Sequence, residues 1–93
     1  MSEDVLATLA ARRSTHGIWR EQAATASTIR KVLHLNSGWR HLPPHVSEAI
    51  DMIVTKISRA VEGDWEHTDH WEDIQGYARL VEIEIEKDNE PRN

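Results

Sequence analysis

Apolar residues recur along this chain at intervals of three and four, the spacing that gathers them on one face of an α-helix. The clearest run lies at 45–62, where Val46, Ala49, Ile50, Ile53, Ile57, Ala60 and Val61 share a face and Gly63 closes the pattern. Trp19, Ala23, Ala26, Ile29 and Leu33 repeat it over 19–36, after which Ser37-Gly38 predicts a left-handed C-terminal cap. A shorter stripe of Val5, Leu6 and Leu9 marks a first helix at about 2–13. Ser2 is its expected N-cap, and Glu3 and Asp4 sit in the first turn, where acids suit the helix dipole. A fourth helix, about 69–86, turns Trp71, Ile74, Ala78, Val81 and Ile85 inward. Inside it Glu82-Ile-Glu-Ile-Glu86 alternates with period two, but a lone strand would have no pairing partner, so helix is predicted there. The segment 39–44 reads as an extended connector, because Pro43-Pro44 resists helix and restricts the residue before it. Residues 87–93 read as a frayed tail.

These elements predict an all-α fold: a single domain over 1–93, a compact helical bundle with 45–62 and 69–86 as an antiparallel hairpin. A chain of 93 residues buries only about 60–65% of its unfolded surface, so a homo-oligomer is expected. The absence of cysteine removes disulfides, thiolate nucleophiles and Cys-ligated zinc. No apolar run approaches the ~18 residues of a membrane span, and Met1-Ser-Glu-Asp4 has neither the basic nor the apolar region of a signal peptide. A soluble cytoplasmic protein with no membrane partner is the expectation. The net charge of −5 is unevenly spread: residues 1–42 carry six Lys/Arg against three acids, and residues 43–93 carry five against thirteen. Duplex nucleic acid needs a broad positive surface and is disfavoured, whereas a small phosphorylated ligand needs only a few local cations.

Chemistry-bearing side chains are densest in the fourth helix. Asp69 and Asp73 stand four apart on one face, Gly76 and Leu80 continue that stripe, and His70 and Tyr77 flank it. A mid-helix glycine costs roughly 1 kcal/mol against alanine, so this stripe is expected to be sheltered by a ligand or another chain. Two stacked carboxylates can share Mg²⁺. The plainer alternative is that Asp69 caps the helix in a capping box with Glu72, leaving Asp73 solvated. Glu48-x-x-Asp51 in the third helix could join Asp69 and Asp73 in one metal cluster. The helical wheel opposes this: Glu48, Thr55, Arg59 and Glu62 lie across from the isoleucine stripe, facing solvent or another subunit, while Lys56 sits on the flank and can reach into a groove.

Four tryptophans stand beside no phenylalanine. Trp19 and Trp71 fall on inward stripes and read as core. Trp39 and Trp65 fall in loops, where an indole either closes the bundle end or stacks on a ligand. His67, His70 and Asp73 have the spacing of a partial zinc site without a further ligand; His16 and His70 fit better as hydrogen-bond donors to phosphate or ribose. Arg20, Lys31 and His34 form a basic, solvated side of the second helix. There is no Gly-rich phosphate loop and no nucleophile elbow.

Thr15-His-Gly17 with Trp19, Trp39 and Leu42, Glu48-Ala-Ile-Asp-Met-Ile53, Lys56-Ile-x-Arg59, Gly63-Asp64 and Asp69-His-Trp-x-Asp-Ile-x-Gly-Tyr-Ala-x-Leu80 resemble a family of small tailed-phage proteins of unknown function, over about residues 12–82. More distantly, the same order is similar to phage nucleotide-modification-associated domains and to the all-α NTP pyrophosphohydrolases of the MazG and dimeric dUTPase kind. Those enzymes are helical oligomers whose Glu-Glu-x-x-Glu and Glu-x-x-Asp motifs bind Mg²⁺. Here Ser47 replaces the leading glutamate of the first motif, and Asp69 and Asp73 are spaced four apart, not three.

The resemblance therefore implies a nucleotide-binding groove with too few metal ligands for the chemistry. Its first functional expectation is a phage protein that sequesters a nucleotide immune signal, with His16, Lys56 and Arg59 on phosphate. Trp39, Trp65 or Tyr77 would then stack on the base, with His70 donating and Asp73 accepting. The second is a Mg²⁺-dependent nucleoside triphosphate pyrophosphohydrolase holding metal through Glu48, Asp51, Asp69 and Asp73. The third is a helical adaptor that inhibits another protein.

Overall fold

The computed structural model describes residues 2–91, and within them every regular element is helical. The four α-helices are α1 (Glu3–His16), α2 (Trp19–Leu35), α3 (Pro44–Glu62) and α4 (Thr68–Asp88), with a short 3₁₀ turn, Ser37–His41, between α2 and α3. None is long and apolar enough to cross a membrane.

Local chemistry explains most boundaries. The Ser2 hydroxyl accepts from the Val5 amide at 3.3 Å, as its cap position predicts. Pro44 opens α3, where a missing amide proton costs no intrahelical bond. Three boundaries differ from the sequence expectation. Gly38 is not a left-handed cap: α2 stops at Leu35, and the Asn36 side chain accepts from the Gly38 amide at 2.8 Å to start the 3₁₀ turn. The connector is consequently extended only at Leu42 and Pro43. At the other end α4 starts at Thr68, with His67 and not Asp69 in the cap position, and it runs on to Asp88. The Glu82–Glu86 alternation is helical, and of the expected tail residues 92 and 93 lie outside the described region.

α3 is the centre of the fold, packed against α2 on one side and α4 on the other. That double contact corrects the expected single buried stripe. Val54 and Ser58 are buried beside Ala49 and Ala60, whereas Ile57 and Val61 are exposed. Thr55, Arg59 and Glu62, expected on the solvent side, turn toward α1 and α2: Arg30 of α2 donates to the Thr55 hydroxyl, and the Thr25 hydroxyl donates to Glu62 at 2.7 Å. Gln22 of α2 is buried and donates through Nε2 to the Ser58 hydroxyl at 3.1 Å, which in turn donates to the Thr55 carbonyl at 2.8 Å. A polar pair fills the α2–α3 seam where hydropathy alone predicts apolar side chains.

α1 touches α3 and α2 but buries none of its own residues. Its last turn is held by two glycines. Gly17 adopts φ +81°, a left-handed region open to glycine, and a Cβ there would lie 2.5 Å from the Glu62 carbonyl oxygen. A Cβ on Gly63 would in turn press on the Thr15 carbonyl and stand 2.6 Å from the Gly17 amide nitrogen. The chain turns after α1 and α3 are thus in backbone contact. The molecule is drawn out along one axis, measuring 57 × 31 × 26 Å.

Candidate functional site

The glycine contact creates the most chemically distinctive space in the molecule. It brings the end of α1, the start of α2 and the last turns of α3 around one cleft of about 310 Å³. Arg12, Arg13 and His16 line it from α1 and Arg59 from α3, while Leu9 and Ile18 supply apolar wall. Trp19 stands at the mouth, 77% exposed, and Gln22 is buried behind it. No aspartate or glutamate lines the cleft, so a chain of net charge −5 presents three guanidinium groups here without an acid among them.

Arg59 is the decisive member. Its Nε is buried and has no hydrogen-bond partner among the described residues. An unpaired buried donor costs about 1–3 kcal/mol, more when charged, so a protein keeps one where something else satisfies it. The start of α2 adds further donors. Its cap residue, Ile18, has no side chain able to accept a hydrogen bond, so the first amides of α2 are uncapped by side chains at the edge of the same cleft.

Three histidines back the cleft. The His16 ring lies 5.2 Å from His70 and 6.4 Å from His67, and His67 and His70 are 5.0 Å apart. His70 is buried and its Nε2 donates to the Thr15 carbonyl at 2.8 Å, fixing that nitrogen as the protonated one. The same carbonyl accepts from the Asp64 amide at 3.0 Å. His16 shares a 2.6 Å hydrogen bond through Nδ1 with the Thr15 hydroxyl. Its pKa is held below the ordinary imidazole value, first by burial and then by the positive charge of Arg59. His67 lies 3.4 Å from the Asp69 carboxylate. Despite their proximity, no group of three or more His, Cys, Asp or Glu side chains among the described residues has the geometry to hold a metal ion.

The residues singled out in the sequence scatter. His16 and Arg59 line the cleft, and His70 stands behind it. Lys56 is committed to Asp73, 3.0 Å away, and that pairing holds the Asp73 carboxyl below its usual range. Trp39 lies beyond the far end of α2 with its ring 4.3 Å from His34. Trp65 is exposed in the α3–α4 loop, its carbonyl accepting from the Trp71 indole at 2.7 Å. Tyr77 lines a different groove, with Glu48.

The four carboxylates expected to share Mg²⁺ are divided. Asp51 faces α2, where His34 lies at 3.1 Å and Arg30 at 3.7 Å; Asp73 pairs with Lys56 of α3; Asp69 pairs with His67. The stripe of Asp69, Asp73 and Gly76 is not sheltered within the chain: the two carboxylate side chains are 69% and 49% exposed, and a Cβ on Gly76 would meet nothing within 4 Å.

Sequence reasoning missed Arg12, Arg13, Ile18, Gln22 and the cleft position of Trp19. One signal was present: two consecutive arginines a few residues before a His-Gly turn and a tryptophan. Their meaning depended on the position of Arg59, more than forty residues away. Comparison with family models, curated proteins and solved structures finds no match for this chain. The chemistry of the cleft is therefore what bears on what it could bind.

Proposed function

We propose that the protein captures a small nucleotide in the cleft between α1, α2 and α3 and holds it unchanged. The buried, partnerless Nε of Arg59 carries this reading. Arg12, Arg13 and Arg59 supply fork-shaped donors suited to phosphate oxygens, and the uncapped amides of α2 add more. Trp19 offers an indole face at the mouth, and stacking a nucleobase on it contributes about 1–3 kcal/mol. A volume of about 310 Å³ sits at the small-molecule end of ligand pockets, which run from roughly 300 to 1,000 Å³.

Retention is favoured over hydrolysis because the carboxylates that would gather Mg²⁺ are dispersed: Asp51, Asp73 and Asp69 each meet a different basic partner, and Glu48 lines a separate groove. Sequestration of a nucleotide signal, the counter-defence role implied by the phage-family resemblance, is the use that fits a site with cations and no metal cluster. The distinguishing experiment incubates the protein with a nucleotide panel and Mg²⁺, then chromatographs the mixture before and after denaturation. Unchanged nucleotide released only on denaturation is expected; pyrophosphate with monophosphate, or no retention of any member, overturns the reading.

Arg59→Met sharpens it. Losing a charge-assisted contact of about 1.5–3 kcal/mol should weaken nucleotide binding roughly 10- to 100-fold. Because methionine keeps an unbranched apolar stem in place of the arginine stem and the orphan donor is gone, thermal stability should hold or rise. Calorimetry and a melting curve on one sample give both numbers, and equal affinity in the variant removes Arg59 from the site.

A further inference from the structure

The helix that supplies half of the cleft is itself unsupported. α1 spans 14 residues and buries none of them. Isolated helices of ~12–15 residues are marginal in water, and in proteins an amphipathic face is normally stabilised by packing. α1 has such a face: Leu9 reaches the cleft, but Val5 and Leu6, about one turn further out, are 45% and 50% exposed. The whole chain shows the same deficit. Its accessible surface of 7191 Å² exceeds by about 1,700 Å² what a folded monomer of 10.7 kDa presents. A standard interface takes about 800 Å² from each partner, so the surplus is ample for one.

A groove able to take that face exists elsewhere on the molecule. Between the start of α3 and the second half of α4 lies a space of about 480 Å³, with Ala49, Tyr77, Leu80 and Val81 as its apolar lining. Glu48 and Glu84 stand on its rim, and Leu80 is 59% exposed. α1 itself is charge-balanced, with Glu3 and Asp4 beside Val5 and Leu6 against Arg12 and Arg13, so it docks through its apolar stripe. Stacked on another α1 the stripe would meet a second convex helix, whereas the α3–α4 groove offers it a concave apolar seat.

We infer that the occupant of this groove is helix α1 of a second copy of the chain, placed reciprocally in a two-fold dimer. Val5 and Leu6 of each protomer pack on Leu80 and Val81 of the other, while Arg12 and Arg13 stay on the cleft side. Each contact is made twice, which closes the assembly and leaves no groove open for a third copy. The arrangement also fixes α1, and with it Arg12, Arg13 and His16, against the cleft.

The test uses the full chain and substitutions outside the cleft. Sedimentation equilibrium of the wild-type protein should give a dimer that holds as salt rises, because the contact is apolar. Leu6→Glu and Leu80→Arg alter side chains already exposed within the chain, so each variant should keep its helical circular dichroism while associating at least tenfold more weakly. Mixed in equal amounts, the two variants should re-form a dimer, since one contact then pairs Glu with Arg and the other is native. A wild-type monomer, a dimer that survives both substitutions, or variants that fail to reassociate on mixing would each overturn the inference. Leu6→Ser, milder in charge, should weaken association in the same direction, and an unweakened dimer in that variant counts against it equally.

Discussion

Along the outer edge of α4, Asp69 and Asp73 stand one turn apart with Gly76 and Leu80 beyond them, a set arranged by one helix alone. At the corner between α1 and α2, Arg12, Arg13 and His16 meet Arg59 and Trp19, a set drawn from three helices. The edge group is ordered in the sequence and open to water in the fold, with Asp73 paired to Lys56 and Asp69 lying 3.4 Å from His67. The corner group has no such order in the sequence, yet it encloses a cleft with a buried donor left over. Helical spacing places side chains on a face; only the neighbouring elements decide whether that face is enclosed. Exposed carboxylates at the edge and acid-free cations around a cleft at the corner are what separate a solvated surface from a candidate site.

The largest effect that could break this contrast comes from the glycine contact behind the corner. Gly63→Ala sets a methyl against the Thr15 carbonyl and 2.6 Å from the Gly17 amide nitrogen, and both obstacles are backbone. Destabilisation of more than about 2 kcal/mol is expected, with nucleotide retention lost alongside it. Gly76→Ala on the open edge should be neutral or stabilising by up to about 1 kcal/mol, since it gains helix propensity and meets no atom. Denaturant titration of the pair checks both, and similar losses in the two variants would erase the distinction between corner and edge.

A smaller effect concerns acid. The unfolded chain protonates His16 near the ordinary value of about 6.5, whereas burial and Arg59 delay protonation in the fold to lower pH. The unfolded state therefore binds more protons in that window, and stability falls as pH drops from above about 6.5 toward the folded-state value. His16→Asn should flatten part of the decline in melting temperature between pH 7.5 and 5.5. An unchanged slope would mean that His16 is not the group responsible.

The smallest effect is expected at the edge. Asp73→Asn removes an ion pair that is half open to solvent, so nucleotide retention should be unchanged and the melting temperature should move less than in Gly63→Ala. A lost ligand in this variant would return the α4 stripe to the site and remove the corner's priority.

The helices themselves were legible because their apolar periods are long and their breaks chemically marked, as at Ser2, Pro44 and Gly63. What could not be read was the double-sided role of α3. Its isoleucine stripe suggested one buried face, but two neighbours bury Val54 and Ser58 as well and draw Thr55, Arg59 and Glu62 off the solvent side. Gln22 and Ser58 break the hydropathy pattern for the same reason: a polar pair that satisfies itself can fill a seam. Trp19 fails in the opposite sense, on an inward spacing yet exposed, because the stripe of α2 starts before its packing partner does. Of the residues that line the cleft, His16 and Arg59 are the two singled out in the sequence, and the other cations depended on long-range contact.

The Thr15 oxygen has one further implication. It receives both the Asp64 amide and the ring of His70, a residue fifty-five positions along the chain. Bringing such distant partners together is entropically slow, so this knot should tie late in folding, after α2 and α3 have found each other. Through that one oxygen the end of α1 is tied to the start of α4. A displacement of either helix would therefore be felt by the other without passing through α3.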